Sequence, residues 1–281
     1  MNTLNLNKIE SVQQLEDMFA LYQQICKDKN IINSNIVYIN DELKNAVKFR
    51  RLYYLKDGSQ LLLFVDYAYF YKCYYISSDV HLNLDIENSG VLFNEFVDLK
   101  HNFESTKNNL LNFYSRNSIK LHALNYEMQI SLNKDTTFLG EKDNKSKLEQ
   151  CTNDDAQTIN SLISGHLDPY ALDVFPEEHS KEIDQGNYFC FRKNNEIACI
   201  IRCVQINAST IQLSRLVTDP KYRKLGLALE IMQSVMDNQR KNARRVSVWV
   251  NETNISSLNL VVEKFGFQIK RKACLQFVNN I

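Results

Sequence analysis

Glycine and proline are scarce: the 281 residues hold seven of the first and three of the second. That excludes collagen-like and low-complexity chains and makes each glycine or proline informative about a turn. Cysteine is present seven times, an odd number, with neither C-x-x-C pairs nor zinc-like spacing against histidine. This excludes a disulfide framework or a structural zinc site and points to reduced thiols in a cytosolic setting. An excess of charge is also lacking. Lys plus Arg and Asp plus Glu both number 33, so no long-range field favours nucleic acid or an anionic membrane, and a small or neutral partner is expected. The longest apolar runs, near 61–65, fall well short of a membrane span, and the opening MNTLNLNKIESVQQ lacks a basic-then-apolar leader. A cytoplasmic protein without metal is the expectation. The abundance of Asn, Ile and Lys suggests a bacterial source, and the composition leaves monomer and homodimer both open.

What is present suits two domains of ordinary size. The polar, periodless stretch KDTTFLGEKDNKSK at 134–147 reads as a linker, dividing the chain into 1–133 and 148–281. In the first part, 11–28 is an amphipathic helix capped by Ser11, with Val12, Leu15, Phe19, Tyr22 and Ile25 on one face, and 41–49 is a second helix. The period then shortens. Residues 52–55 and 60–66 form a hairpin about Asp57-Gly58, and 67–76 is a tyrosine-rich strand. Tyr67, Tyr69, Tyr71, Tyr74 and Tyr75 could stack on a ligand, but alternation on a half-buried strand explains them without one. A strand at 91–99, a helix at 104–114 and a strand at 119–131 complete the part. In the second, a helix runs to Ser164, a hairpin spans 188–206 and a strand covers 210–218.

The stretch 211–236, IQLSRLVTDPKYRKLGLALEIMQSVM, organises the whole. It reads as a strand stopped by Asp219-Pro220, then a helix with Leu225, Leu229, Met232 and Met236 at helical spacing. Between them, Arg223-Lys224-Leu225-Gly226-Leu227-Ala228 sets a glycine and a small residue at a helix N-terminus, where backbone N–H groups can approach a phosphate closely. R-x-x-G-x-A after L-V-T-D-P resembles the acetyl-CoA pyrophosphate loop of the GNAT superfamily of N-acetyltransferases, whose commoner form is R-x-x-G-x-G. Residues 254–267, NISSLNLVVEKFGF, resemble that family's later motif N-x-x-A-x-x-L-Y-E-K-x-G-F. There are two departures. One extra residue separates Asn254 from Gly266, and Val262 stands where the family often has the tyrosine that protonates the departing thiolate.

The resemblance covers roughly 148–278 and implies an α/β (α+β) fold: a mixed, mostly antiparallel sheet flanked by helices, binding acetyl-CoA as cosubstrate. It implies that Arg223 to Ala228 hold the diphosphate, that backbone groups of Leu216, Val217 and Thr218 pair with the pantetheine arm, and that Asn254 bonds the pantetheine or the thioester end. Asn254 equally suits a helix cap. A weak internal repeat, Val97-Asp98-Leu99 and its helix laid over Val248-Trp249-Val250 and its helix, suggests that 1–133 is a degenerate second copy. Its counterpart of the phosphate loop, 79–90, is acidic and lacks Lys and Arg, which predicts no cofactor there.

Acyl transfer to an amine needs a neutral nucleophile, an oxyanion stabiliser and a proton donor for the thiolate. A strand N–H near Val217 can serve the second. For proton transfer the candidates are Ser257 (or Ser256), His166 and Tyr170, with Asp168, Glu177 and His179 able to act, and no pattern selects among them. The reading is an acyl-CoA N-acyltransferase acting on a primary amine of a small molecule or peptide; the alternative is a CoA-binding or sensing module without chemistry.

Overall fold

The computed structural model describes the chain apart from residues 1–5, 30–32, 37, 57, 68–69, 79–89, 101, 133–145, 172–175 and 280–281. In chain order come β1 (Asn7–Lys8), α1 (Val12–Asp28), β2 (Asn33–Ser34), α2 (Asp41–Lys48), β3 (Leu52–Lys56), β4 (Gln60–Asp66), β5 (Tyr71–Ser77), β6 (Val91–Asp98), α3 (Phe103–Ser115) and β7 (Ile119–Ser131). There follow β8 (Glu149–Gln150), α4 (Ala156–His166), α5 (Pro176–Asp184), β9 (Tyr188–Lys193), β10 (Glu196–Asn207), β11 (Thr210–Thr218), α6 (Leu227–Gln239), β12 (Arg245–Asn251), α7 (Ile255–Leu258), a π-helical turn (Asn259–Lys264) and β13 (Gln268–Asn279).

These elements make two compact units, Met1–Leu124 with Lys272–Ile281, and Asn125–Arg271. The sequence places the boundary at a 134–147 linker, of which 134–145 lie outside the described residues. In the structure the divide falls inside two strands instead. Residues 125–131 of β7 run antiparallel to β12, from Arg245↔Ser131 to Asn251↔Asn125. Residues 272–278 of β13 run antiparallel to β6 and finish the sheet of the first unit. Alternation marks a stretch as a strand but says nothing about which neighbour it pairs with, so this exchange is invisible in the pattern.

In the first unit the strands are ordered β1-β3-β4-β5-β6 and only β5 and β6 are parallel. Ser11 caps α1 by accepting from the Gln14 N–H, and α1 buries Leu15, Phe19, Tyr22 and Cys26. Tyr67, Tyr74 and Tyr75 are core residues with carboxylate partners, and half-buried Tyr71 packs edge-on against Tyr53 and Phe64. Tyr67 and Tyr74 both donate to Glu42, which also pairs with Lys72 at 2.8 Å, while Tyr75 donates to Glu95. That accounts for them without a stacked ligand; Tyr69 lies outside the described residues.

In the second unit the order is β12-β11-β10-β9-β8, and β11 with β12 is the parallel pair. Asn194 and Asn195 both take positive φ, 51° and 65°, as the tight turn between β9 and β10 demands. One face of this sheet buries Phe191, Ile201, Leu213 and Val248 with Ile231, Met232 and Val235 of α6. The other packs Cys190, Ile200 and Val217 against Ile159, Leu162 and Ile163 of α4 and Ile183 of α5. All seven cysteines are buried free thiols.

Candidate functional site

The loop from β11 to α6 is shaped by two left-handed residues, Lys224 with φ 63° and Gly226 with φ 80°. Gly226 is the N-cap of α6, which therefore begins at Leu227, so Leu225 belongs to the loop and is 62% exposed rather than packed on the helix. The buried face of α6 keeps Met232 and Met236 of the expected spacing and adds Leu227, Ile231 and Val235, with Leu229 partly buried. The first intrahelical bond is Glu230 N–H to the Gly226 carbonyl at 3.1 Å. The N–H groups of Leu227, Ala228 and Leu229 consequently have no carbonyl one turn back to bind, and they carry the positive end of the helix dipole. A Cβ built on Gly226 meets no atom within 4 Å, so the space over Gly226 is open. Arg223 is exposed, and its Nε donates to the Thr218 carbonyl at 3.3 Å, which folds the side chain back over the end of β11.

β11 and β12 form an open slot. Their parallel ladder holds only at Thr210↔Arg245, Ile211↔Val246 and Gln212↔Ser247. Beyond it both strands continue, and among the described residues no strand pairs with the edge of β11 that β12 leaves. A bulge drives them apart: the β10–β11 register jumps from Ile200↔Val217 to Arg202↔Ser214, leaving Arg215 and Leu216 opposite one residue. Leu216 packs toward the α6 side of the sheet and Val217 toward the α4 side, while Thr218 is half-buried beside the Cys199 thiol at 3.3 Å. Because the strands are parallel, the loop after β11 and the loop after β12 emerge at the same end, which is where open α/β sheets take ligands.

Of the expected site residues, Leu216 to Thr218 and Arg223 to Ala228 are thus continuous along one rim of the slot, and Asn254 and Ser257 follow its other strand. Asn254 caps α7: its side chain accepts from the Ser257 N–H at 3.0 Å. Ser257 is half-buried and Ser256 exposed. The extra residue before Gly266 is taken up by the π-helical turn, since a π turn holds one residue more than an α turn. Val262 lies on that turn and is 42% exposed. His166 is exposed at the C-terminus of α4, and Tyr170 is half-buried, its phenol pKa raised by burial and by Asp168.

A polar cluster of which the sequence marks only His179 lies beneath the bulge. Arg215 is 8% exposed, has φ 50° in mid-strand, and donates to the Tyr188 hydroxyl at 2.5 Å. Tyr188 meets His179 Nε2 at 3.0 Å. Glu182 lies 3.6 Å from Arg215 and accepts from Arg202 Nε at 3.0 Å, and Arg202 also donates to Ser214 at 3.3 Å. Burial, and then the Arg215 charge, push the His179 pKa down to about 4. The neutral ring can then accept the Tyr188 proton while the Tyr188 oxygen accepts from Arg215. Apart from His179, an arginine at an inward strand position is the only signal, and periodicity reads such a residue as an exception.

The first unit repeats the slot. β5 and β6 pair in parallel only at Tyr71↔Val91, Lys72↔Leu92 and Cys73↔Phe93. Here β2 fills the edge that β6 leaves, through Asn33↔Ser77 and Ser34↔Ile76, with β4 on the far edge at the same residues. Asn35 donates to the Cys73 carbonyl at 3.0 Å and accepts from the Tyr75 N–H at 2.7 Å, and Ser34 donates to the Tyr75 carbonyl at 2.8 Å. The segment 79–89, where a phosphate loop would fall, lies outside the described residues.

A loop turned by a left-handed glycine thus sits at a helix N-terminus at the mouth of a splayed parallel pair. Residues 156–267 match the model of the Acetyltransferase (GNAT) family. The fold is similar to that of a tandem GNAT protein from the clavulanic acid biosynthesis pathway, at 10% identity, a TM-score of 0.54 and 98% coverage of each chain. It is also similar to a GNAT-family acetyltransferase from Colwellia psychrerythraea, at 11% identity and a TM-score of 0.52, covering 98% of this chain and 100% of that one. A GCN5-related N-acetyltransferase from Sphaerobacter thermophilus matches at 10% identity and a TM-score of 0.53, over 78% and 80%. At such identities the likeness is one of fold. No curated protein matches the chain in sequence. Among the described residues no cluster of His, Cys, Asp and Glu could hold a metal ion, and no helix is long and apolar enough to cross a membrane.

Proposed function

We propose that the chain transfers an acetyl group from acetyl-CoA to a primary amine of a small molecule or peptide, at a site in the second unit. The observation that carries this is the open slot between β11 and β12 with the Arg223–Ala228 loop at its mouth. The residues fit the cosubstrate. The helix-start N–H groups, the empty space over Gly226 and the Arg223 guanidinium suit a diphosphate, and the edge of β11 at Leu216 to Thr218, which no strand among the described residues covers, suits the amide-bearing pantetheine arm as an added strand.

Acetyl-CoA supplies an activated acyl group and a thiolate leaving group. Backbone N–H groups after the bulge stabilise negative charge developing on the acyl oxygen, in the way preorganised donors do. The amine loses its proton through a base or waters, and the thiolate gains one from a donor that Ser257, His166 or Tyr170 could provide. The first unit takes no CoA, because Ser34 and Asn35 already use the backbone groups along its slot. Release of free thiol from acetyl-CoA, assayed across a panel of primary amines, tests the reading; release with none of them contradicts transfer.

A second reading, a CoA-binding module without chemistry, is favoured by Val262 in place of a phenol. It predicts CoA binding with no thiol release on any acceptor.

A further inference from the structure

Arg215 occupies a backbone conformation that L-residues avoid, inside a strand and with its side chain almost wholly buried. A strained residue persists only where its surroundings over-determine it, and such residues gather at functional sites. Here three other elements converge on it. Tyr188 comes from the start of β9, Glu182 and His179 from α5, and Arg202 of β10 ties Glu182 to Ser214, the residue before Arg215 in β11. The bulge they grip is also where β11 parts from β12, three residues past the last ladder pair at Gln212.

We propose that Arg215 is a positioning residue for acyl transfer: its guanidinium, anchored on Tyr188 and Glu182, holds the bulge so that the N–H groups after it face the slot in register with an acyl carbonyl. This rests on the acetyl-CoA reading given above. Arg215 touches no reacting atom; it acts through the backbone. Its anchor is charged and hydrogen-bonded at once, which fixes direction as well as distance. The Tyr188 hydroxyl is held in turn by His179, so the tether is oriented from two sides. Without it the bulge is free to relax toward ordinary strand geometry, and the donors would turn away from the slot while the phosphate loop, eight or more residues on at Arg223 to Ala228, kept its grip.

The test uses acetyl-CoA labelled with ¹³C at the thioester carbonyl, and unlabelled CoA, with the full chain. Infrared difference spectra should show the carbonyl band of the wild-type complex displaced to lower wavenumber from its value in solution. Tyr188→Phe removes the hydroxyl and keeps the ring; Arg215→Met removes the charge and keeps the length. Both should lose at least half of that displacement while the Kd for CoA changes less than about twofold, and Arg215→Lys should restore part of it. Turnover on any amine accepted by the wild type should fall tenfold or more at unchanged KM for acetyl-CoA, below the hundredfold typical of deleting an oxyanion donor outright. Should Arg215→Met fail to fold, Tyr188→Phe carries the test. Folded variants that keep the full displacement and turnover overturn the assignment and leave the acetyl-CoA reading intact. A wild type that binds neither CoA nor acetyl-CoA overturns both.

Discussion

Replacing Gly226 by valine separates the loop's backbone geometry from its ligand contact. In the protein alone the new Cβ meets nothing, because no atom outside the neighbouring residues lies within 4 Å of its position. The cost is therefore conformational: an L-residue at φ 80° loses roughly 1–2 kcal/mol, and β-branching adds to it. At about 2–4 °C per kcal/mol for a unit of this size, Tm should fall by several degrees. CoA at 100 times its Kd should raise wild-type stability by about 2.7 kcal/mol, or roughly 5–10 °C, if it binds only the folded state. In Gly226→Val the valine occupies the space assigned to the diphosphate, so most of that rise should disappear. Gly165→Ala, in the last turn of α4 where Gly165 also has open space around it, should leave the rise untouched and gain a few tenths of a kcal/mol. A folded Gly226→Val protein with the full CoA-dependent rise would refute the placement of the phosphate site.

Arg223→Ala should weaken CoA by the roughly 1.5–3 kcal/mol of a hydrogen bond to a charged group, and the deficit should shrink as salt is added; an affinity unchanged at low salt would contradict the contact. Calorimetric titration should give one CoA per chain, and Asn35→Ala with Ser34→Ala should destabilise the first unit, since the Cys73 and Tyr75 backbone groups lose their partners. Two CoA per folded chain would show the first slot to be functional. Acid should destabilise the second unit through His179, faced by Tyr188 from β9, Arg215 from β11, Glu182 from its own helix and Arg202 from β10. Its folded pKa of about 4 lies below the ordinary 6.5, so the unfolded chain binds the extra proton between them, and stability contributed at neutral pH is lost as pH falls through that window. His179→Gln should flatten that part of the pH–stability profile, and a profile equally steep in the variant would clear His179 of the role.

The expected catalytic serines can be separated from a scaffold role. Ser257→Ala should leave α7 in place, because the Asn254 cap engages the Ser257 backbone and not its hydroxyl. A hundredfold loss of turnover would then identify a general acid, whereas retention of turnover would leave the donor elsewhere.

Local features were legible in the residues because local chemistry determines them. Ser11 and Asn254 cap the helices they precede, and the strand read at 119–131 is β7 from end to end. The loop before α6 is recognisable as a loop from an arginine, a glycine and a small residue in order, and the helix starts later than the spacing suggests, since the left-handed Gly226 ends the loop one residue after Leu225 gives a helical period its first apolar position. What stayed hidden depends on pairing across long separations. Nothing in 119–131 or 268–279 says that these strands are divided between two units, nothing at Ser34 or Asn35 says that they fill a slot beside β5, and Arg215 looks like any polar residue in a strand until the register around it is known. The additional residue of the last motif was countable, but its absorption into a π turn, rather than a longer loop, was a matter of packing around Val261 and Phe265.

The most direct test of the account is a crystal structure of the full chain with CoA. It should show a single CoA, its diphosphate within hydrogen-bond distance of the N–H groups of Leu227 and Ala228 and its pantetheine arm lying along β11 between Leu216 and Thr218. CoA bound elsewhere, or bound in the first unit beside β5, would contradict it.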